Sequence, residues 1–462
     1  MIAAADTVLA SLEGLLDRAG HGRRIVSVTV PVELDDPSAA VFGARLAGDR
    51  WFCWEEPDRD GFALAGLGSA HDAVARGVAR FRDVASECAE LIRGRLAAEP
   101  PNLPAGAGPV LVGGFAFADD GGTEGKWSSF EPGSMTLPEL TLRRRGGETL
   151  LTVCALAGTD RGEALRRLRL RLDGLGSDAL PLSDPHPSDR TEIASTAPPR
   201  GYEHAVASAV EKIRSGGAEK IVLAREVAVT SPRAHDPAAL FGALRAVFPS
   251  CFCFCCGTPE AAFLGASPEL LVRRRGAGAA AVALAGSTRR SADPAVDDHL
   301  GEQLRGSAKD RAEHEIVVRR IERSLRPHSV WVEAAQDPGL VRVANIQHLA
   351  TPVRAQLAEP RSAIELAGLL HPTPAVGGEP RMAALEAIAE LEDLDRGWYA
   401  GPVGWMDAAE DGEFCVALRS ALLRDRTAHL FAGAGIVADS DPAAELAETE
   451  LKLGALLPLL AG

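Results

Sequence analysis

The chain has 462 residues, 46% hydrophobic and 24% charged, a composition that excludes wholesale disorder and leaves room for one large fold or about two to three ordinary domains. Its net charge of −15 disfavours non-specific binding to nucleic acid or anionic membranes, so an anionic substrate would need a local cation or a placed arginine. Aromatics make up only 5%, which leaves the core to Leu, Val and Ala.

The N-terminal MIAAADTVLASLEGLLDRAG carries Asp6 and Glu13 before any Lys or Arg and lacks the basic start and long apolar core of a secretory signal. No apolar run is long enough to span a bilayer, so a cytoplasmic location is expected. RIVSVTVPVEL alternates as a strand does, residues 70–98 have the spacing of a long amphipathic helix, and TLPELTLRRRGGETLLTVCAL reads as a hairpin turning at Gly146 and Gly147. Residues 160–172 predict a basic amphipathic helix with its arginines on a solvated face. The Pro-, Ser- and charge-rich stretch 183–200 divides an N-terminal part, 1–195, from a C-terminal part, 196–462, either as a domain boundary or as a long surface loop.

Beyond it, residues 202–215 read as a helix, KIVLAREVAVT as a strand, and Asp236 as the N-cap of a helix ending before Pro249. In SCFCFCC a strand would put Cys251, Cys253 and Cys255 on one face and Phe252 and Phe254 on the other, which suits buried, reduced thiols better than a metal site. FLGASPELLVRRRGAGAAAVALAGS reads as two strands joined by a Gly/Ala turn, and residues 298–325 as one long helix or two. GWYAGPVGWMD and GEFCVALRSALL suggest a hairpin pair, HLFAGAGIV a strand, and a last helix starts at Pro442. There is no internal repeat and no strict β-α-β alternation, which predicts an α+β protein with large, mostly antiparallel sheets flanked by helices.

In the last helix Glu445, Glu448 and Lys452 share a face, and KDRAEHEIVVRR adds Glu313 and Glu315, two apart and so on different faces. Two helices that each offer a carboxylate can hold a hard cation such as Mg²⁺, with water and substrate oxygens completing its shell, although the spacing alone suits solvated salt bridges better. Lys220 opens an apolar strand; desolvated it would serve as a base, while an ordinary strand-end lysine would reach solvent. Glu269 lies between Pro268 and an apolar run, where burial would make it a proton donor and exposure an ordinary strand-start glutamate. FAGAGIVA imitates a dinucleotide fingerprint, but Ile436 and Val437 continue the strand and the helix begins only after Asp441 and Pro442, which rules that reading out. Gly433 and Gly435 still let a ligand carboxylate approach backbone N–H groups closely.

Taken together and in order, KIVLAR, FLGASPELL, LAGSTRR, KDRAEHEIVV, HLATPV, LHPTPAVGG, YAGPVGW, VALRSALL, FAGAGIV and AETELK resemble the chorismate-binding enzymes, which include isochorismate, salicylate, anthranilate and aminodeoxychorismate synthases. The resemblance covers residues 201–459; VGGFAF followed by Trp127 and Phe130 is more weakly similar to the first half of the same anthranilate synthase-like fold. On that basis residues 183–200 become a loop between halves of one globular unit. Members that add water carry Lys where amine-adding members usually carry Gln, and this chain has Lys220; HPTPAVGG and YAGPVGW look like isochorismate synthases more than salicylate synthases.

The resemblance implies a reversible, Mg²⁺-dependent conversion of chorismate to isochorismate, with water added at C2 and the C4 hydroxyl lost. It implies an uncharged Lys220 as base and a protonated Glu269 as acid on opposite faces of the ring. Glu313 and Glu448 would hold Mg²⁺, with Glu445 acting through water and Lys452 supporting these carboxylates. Arg419 would pair with the enolpyruvyl carboxylate, near Tyr399 and the backbone at Gly433 and Gly435. His348 would bond the substrate or orient a metal-bound carboxylate, and Ala375 and Val376 would shape the pocket. Chorismate is then the small-molecule substrate, with no nucleic acid, membrane or obligatory protein partner expected. The alternative is a salicylate synthase that goes on to eliminate pyruvate; an amine-adding synthase fed by a glutaminase and a non-catalytic chorismate-binding scaffold are the further readings. The N-terminal similarity leans towards menaquinone over siderophore or salicylate pathways.

Overall fold

Two large sheets carry the chain, which a computed structural model describes over residues 2–20, 24–122, 125–176, 179–182 and 191–461. The thirteen-stranded sheet runs, from one edge, through Glu192–Ser195, Lys220–Thr230, Thr427–Ile436, Ser420–Arg424, Ala262–Ser267 and Phe252–Gly257, then Trp51–Glu56, Phe62–Leu67, Leu140–Arg145, Glu148–Leu156, Ile25–Val32 and Leu96–Ala98; Gly378–Glu379 adds to the Lys220 strand. The ten-stranded sheet runs through Ser329–Ala334, Ile346–Leu357, Gly278–Arg289, Leu270–Arg275, Gly412–Val416 and Pro402–Asp407, then Val110–Phe115, Gly133–Leu137 and His71–Ala75; Gly339–Arg342 pairs with Ile346–Leu357. Among the described residues every pairing is antiparallel except that of Ile25–Val32 with Leu96–Ala98. The expected α+β architecture of mostly antiparallel sheets with flanking helices is therefore present. Both sheets are continuous across the halves, Phe254 opposite Trp54 in the first and Gly404 opposite Gly113 in the second.

One apolar core lies between the sheets, where the rings of Phe62 and Trp405 sit 5.8 Å apart. A second lies on the other face of the larger sheet, under the helices Ile2–Ala19, Pro37–Ala44, Arg161–Gly174 and Pro237–Val247. The cysteine-rich strand separates the two as its alternation predicts: Cys251, Cys253 and Cys255 enter the helix-covered core, Phe254 and Cys256 the inter-sheet core. Asp236 caps its helix, accepting from the Ala238 N–H at 2.9 Å. Among the described residues no helix is long and apolar enough to cross a membrane.

Three sequence expectations need correction, and one open alternative, that of residues 298–325, is decided in favour of two helices. Residues 70–98 are not one helix: His71–Ala75 is an edge strand paired with Gly133–Leu137, Gly77 turns the chain at φ +76°, and the helix spans only Arg80–Arg93. The stretch from Phe263 to Ser287 contributes to three strands, because Pro268 and Glu269 break it between the two sheets. Residues 298–325 fall in two helices, Pro294–Gly306 and Ala308–Leu325, the second capped by Ser307, whose hydroxyl accepts from Asp310 N–H at 3.2 Å. In the stretch 183–200, residues 183–190 lie outside the described residues, Glu192–Ser195 is a strand, and a helix opens at Pro199.

The basic helix Arg161–Gly174 is also less solvated than its pattern suggests. Arg166 is exposed, but the Arg171 side chain is only 4% exposed and pairs with Asp49 at 2.5 Å and with Glu139. Arg171→Met would leave Asp49 without its partner and Glu139 with Arg167 alone. A loss of about 3 kcal/mol is expected, read from the urea unfolding midpoint; an unchanged midpoint would show the network to be neutral.

Candidate active site

The chain crosses between the sheets twice, and the crossings are tied together. After Ala262–Ser267, Pro268 and Glu269 carry it into Leu270–Arg275; after Gly412–Val416, residues 417–419 return it to Ser420–Arg424. Ser267 Oγ donates to the Val416 carbonyl at 2.6 Å, and Val416 N–H donates to the Glu269 carbonyl at 3.1 Å. Arg419 takes φ +47°, a left-handed conformation uncommon for a bulky residue, with its carbonyl held by Ala266 N–H at 3.1 Å.

Glu269 and Arg419 line one cavity. Lys220, Glu313, His348, Ala375, Gly433 and Gly435 line it too, as do Glu445, Glu448 and Lys452 from the last helix. A neighbouring chamber shares Ala375, Arg419, Gly433 and Lys452 and adds Val376 and Tyr399. Every candidate residue of the sequence analysis thus faces one of two connected spaces, whereas Glu315 lines neither.

Lys220 is fully buried at the head of its strand, opposite Glu379. Its Nζ lies 2.8 Å from Glu313 Oε1 but off the hydrogen-bonding direction, and it has no hydrogen-bond partner among the described residues. Gly435 makes this approach possible: a Cβ there would stand 2.6 Å from Glu313 Oε1 and 2.8 Å from Lys220 Cε. Helix Ala308–Leu325 supplies Glu313 and Asp310, and helix Pro442–Leu453 supplies Glu445 and Glu448. Lys452 joins the two ends of the site, donating to the Gly433 carbonyl at 2.8 Å and pairing with Glu448 at 2.6 Å.

Burial, then the charges of Glu448 and Glu313, raise the Glu445 carboxyl, and burial with Glu313 and Glu448 does the same to Asp310. Burial also pushes Glu448 upward, but Lys452 and the Ser287 hydroxyl, 3.2 Å away, hold it low. Among the described residues no group of three or more His, Cys, Asp or Glu side chains stands close enough to hold a metal ion. A hard cation here would therefore rest on at most a pair of these carboxylates and take the rest of its shell from water and substrate oxygens.

Glu269 is 2% exposed, and burial lifts its carboxyl to about 8 against the pull of Lys220, Thr373 and Arg419. It therefore stands as a neutral acid at pH 7. Burial, and next the Arg419 charge, press His348 well below the usual histidine range, which leaves a neutral ring. Arg419 lies 3.2 Å from His348 Nε2 and must donate, which places the imidazole proton on Nδ1. Arg419 itself is buried, its Nε has no hydrogen-bond partner, and no carboxylate pairs with it among the described residues. A buried cation in that state is a ready receptor for an anion. Tyr399 stacks on Phe431 at 5.1 Å, and burial lifts its hydroxyl to about 12, so it remains a neutral donor.

Sequence reasoning missed Ser287, Asp310, Lys309 and Arg396, all of which line these spaces. The i,i+3 spacing of Asp310 and Glu313 was a usable signal, since both lie on one helix face. Ser287 and Arg396 stood within or beside quoted strings, but nothing local marks their role.

Comparison with known proteins supplies the family. The model of the chorismate binding enzymes matches residues 11–461. The salicylate biosynthesis isochorismate synthase of Pseudomonas aeruginosa is 39% identical over 481 residues, covering 97% of this chain and 94% of that one. Isochorismate synthase MenF of Bacillus subtilis is 32% identical, covering 95% and 94%. Among solved structures, the menaquinone-specific isochorismate synthase MenF of Escherichia coli aligns with a TM-score of 0.79 and 27% identity over 98% of this chain and 99% of that one. Anthranilate synthase component I of Streptococcus pneumoniae shares the fold, with a TM-score of 0.70 and 21% identity over 86% and 92%. With a match that runs almost end to end, the chain belongs to the chorismate binding enzymes.

Proposed function

We propose that this chain is an isochorismate synthase, converting chorismate reversibly to isochorismate by adding water at C2 and releasing the C4 hydroxyl. The observation that carries this reading is one cavity lined by a buried lysine, a protonated glutamate and a buried arginine without a carboxylate partner. The relatives that cover nearly the whole chain bear the same activity in their names. The site residues are assigned as follows. Arg419 receives the enolpyruvyl carboxylate, its orientation fixed by neutral His348. Tyr399 and the backbone at Gly433 and Gly435 line that end, and Ala375 and Val376 press on the ring. Lys220, as the free amine, takes a proton from the water that attacks C2. Glu269 gives its proton to the departing C4 hydroxyl. Glu313 and Glu448, with Glu445 through water, would hold Mg²⁺, which would supply positive charge for the ring carboxylate; Lys452 links that end to the Gly433 backbone. No obligatory protein partner is assigned, and the halves 1–195 and 196–462 act as one unit, which the continuity of both sheets supports.

Purified protein with chorismate and Mg²⁺ should yield isochorismate by chromatography, and isochorismate should yield chorismate. Because the Pseudomonas relative is named for salicylate biosynthesis, pyruvate and salicylate are assayed together; if they were the main products, the salicylate synthase reading would replace this one. Lys220→Ala is expected to lower kcat by about 10²–10⁴-fold, and unchanged turnover would remove the base assignment.

Glu269 also makes a stability prediction. The folded state keeps its proton up to about pH 8, whereas the unfolded chain loses it near 4.5, so between those values folding takes up a proton. Stability then falls as pH rises through that window, and the loss is complete above its upper end. Glu269→Gln escapes this loss. It should melt about 5 °C higher than the unmodified chain at pH 9, match it below pH 4.5, and have little activity at either. Equal melting at both pH values would mean that Glu269 ionises freely in the folded state.

A further inference from the structure

We infer that the buried Arg396–Glu392 pair is a positioning device for the strand that carries Lys220, standing in for an absent neighbour strand and fixing that strand against the pocket wall at Val376. The inference rests on the function proposed above, because its kinetic consequence is read through Lys220.

The strand Lys220–Thr230 is paired along one edge with Thr427–Ile436 from Ile221 to Thr230. Its other edge is paired only near the ends: Gly378–Glu379 covers Lys220 and Ile221, and Glu192–Ser195 covers residues 227–230. In between, the backbone groups that point outward need partners, since an unpaired buried N–H or C=O is costly. The Val222 N–H donates to the Gly377 carbonyl at 2.9 Å. The Val222 carbonyl accepts from Arg396 Nη2 at 2.9 Å, and the Ala224 N–H donates to Glu392 Oε2 at 2.7 Å. An ion pair thus takes two of the backbone groups in the gap of the sheet edge.

The same guanidinium reaches further. Arg396 Nη1 donates to the Val376 carbonyl at 2.9 Å, on the pocket wall. Nε and Nη2 donate to the two oxygens of Glu392 at 2.6 and 2.7 Å. Its carbon sits 4.1 Å from the ring centre of Phe117, whose N–H donates to the Gly397 carbonyl at 2.7 Å. One planar fork therefore binds a carboxylate, a strand carbonyl and a pocket-wall carbonyl together, which a lysine ammonium cannot do in the same geometry. Residues 220 and 222 share a face of the strand, so fixing Val222 fixes the base from which Lys220 projects. Both members of the pair are 3% exposed and neutralise each other. That separates Arg396 from Arg419: it acts on the substrate through Lys220 and Val376 and carries no free charge for an anion.

The test compares the unmodified chain with Arg396→Lys, which keeps the charge but loses the fork, and with Glu392→Gln, which keeps an acceptor for the Ala224 N–H. Two readouts are taken: hydrogen exchange of the peptides covering 220–226 and 371–378, and steady-state kinetics on chorismate. In Arg396→Lys, exchange in those two peptides should rise about tenfold or more with the rest of both sheets unchanged. Its kcat should fall about 10- to 100-fold, the scale of a misplacement near 1 Å, while KM holds within about threefold because Arg419 is untouched. Glu392→Gln should lie between the two. Exchange and kcat equal to those of the unmodified chain would overturn the inference. So would exchange that rises uniformly across both sheets with kcat and KM moving together, since that marks general destabilisation. If the unmodified chain itself fails to turn over chorismate, the proposed function fails, and the exchange readout alone decides whether the pair holds the strand.

Discussion

The hydrogen bonds that tie the two inter-sheet crossings are the constraint on which the rest of the site depends. Ser267 Oγ and the backbone of Glu269 both engage Val416, so the passage from the larger sheet to the smaller and the passage back are held in one register. A chain leaving a sheet must abandon its ladder, and here the abandoned groups satisfy one another. Because the crossings meet inside the protein, the side chains they carry are desolvated together. That shared loss of water keeps Glu269 protonated and leaves Arg419 charged without a carboxylate partner among the described residues, and Arg419 in turn helps to keep His348, on the strand Ile346–Leu357, neutral. Two chemical states that look unrelated in the sequence follow from one topological event.

Around this event the site divides into an acidic wall and a basic floor. Helices Ala308–Leu325 and Pro442–Leu453 present carboxylates, of which Glu445 and Asp310 are raised by their neighbours, while Arg419 stands on the return crossing and Lys452 on the inner face of the last helix. In a chain of net charge −15, Arg419 and Lys452 concentrate positive charge where an anion could be received. Lys452 touches both regions through Glu448 and the Gly433 carbonyl, which couples the position of the carboxylate wall to the glycine-bearing strand.

What could be read from the sequence was periodic. The alternation of KIVLAREVAVT, the face shared by Glu445, Glu448 and Lys452, and the split of cysteines from phenylalanines in SCFCFCC all follow from the fixed geometry of strands and helices, and all recur in the fold. What could not be read was long-range. Nothing local marks Glu269 as buried, because the segment tied to it, at Val416, lies far along the chain. The helix expected over residues 70–98 failed because an amphipathic spacing tolerates a short edge strand whose partner, Gly133–Leu137, lies elsewhere. Arg171 and Arg396 were legible only as charges; their partners Asp49, Glu139 and Val222 are supplied by tertiary packing. For the site, therefore, the order of the strings carried the identification, and the residues between them carried the support.

The eight cysteines have a practical bearing. All are buried and unpaired, and burial raises those of Cys154 and Cys255 to about 12, far from the thiolate form that reacts with electrophiles. The native chain is thus almost silent towards thiol chemistry while folded. A single cysteine introduced on the surface would be the one reactive handle on the molecule. Dyes or spin labels could then report on the catalytic cavity without first stripping out the natural thiols, whose removal would disturb both cores.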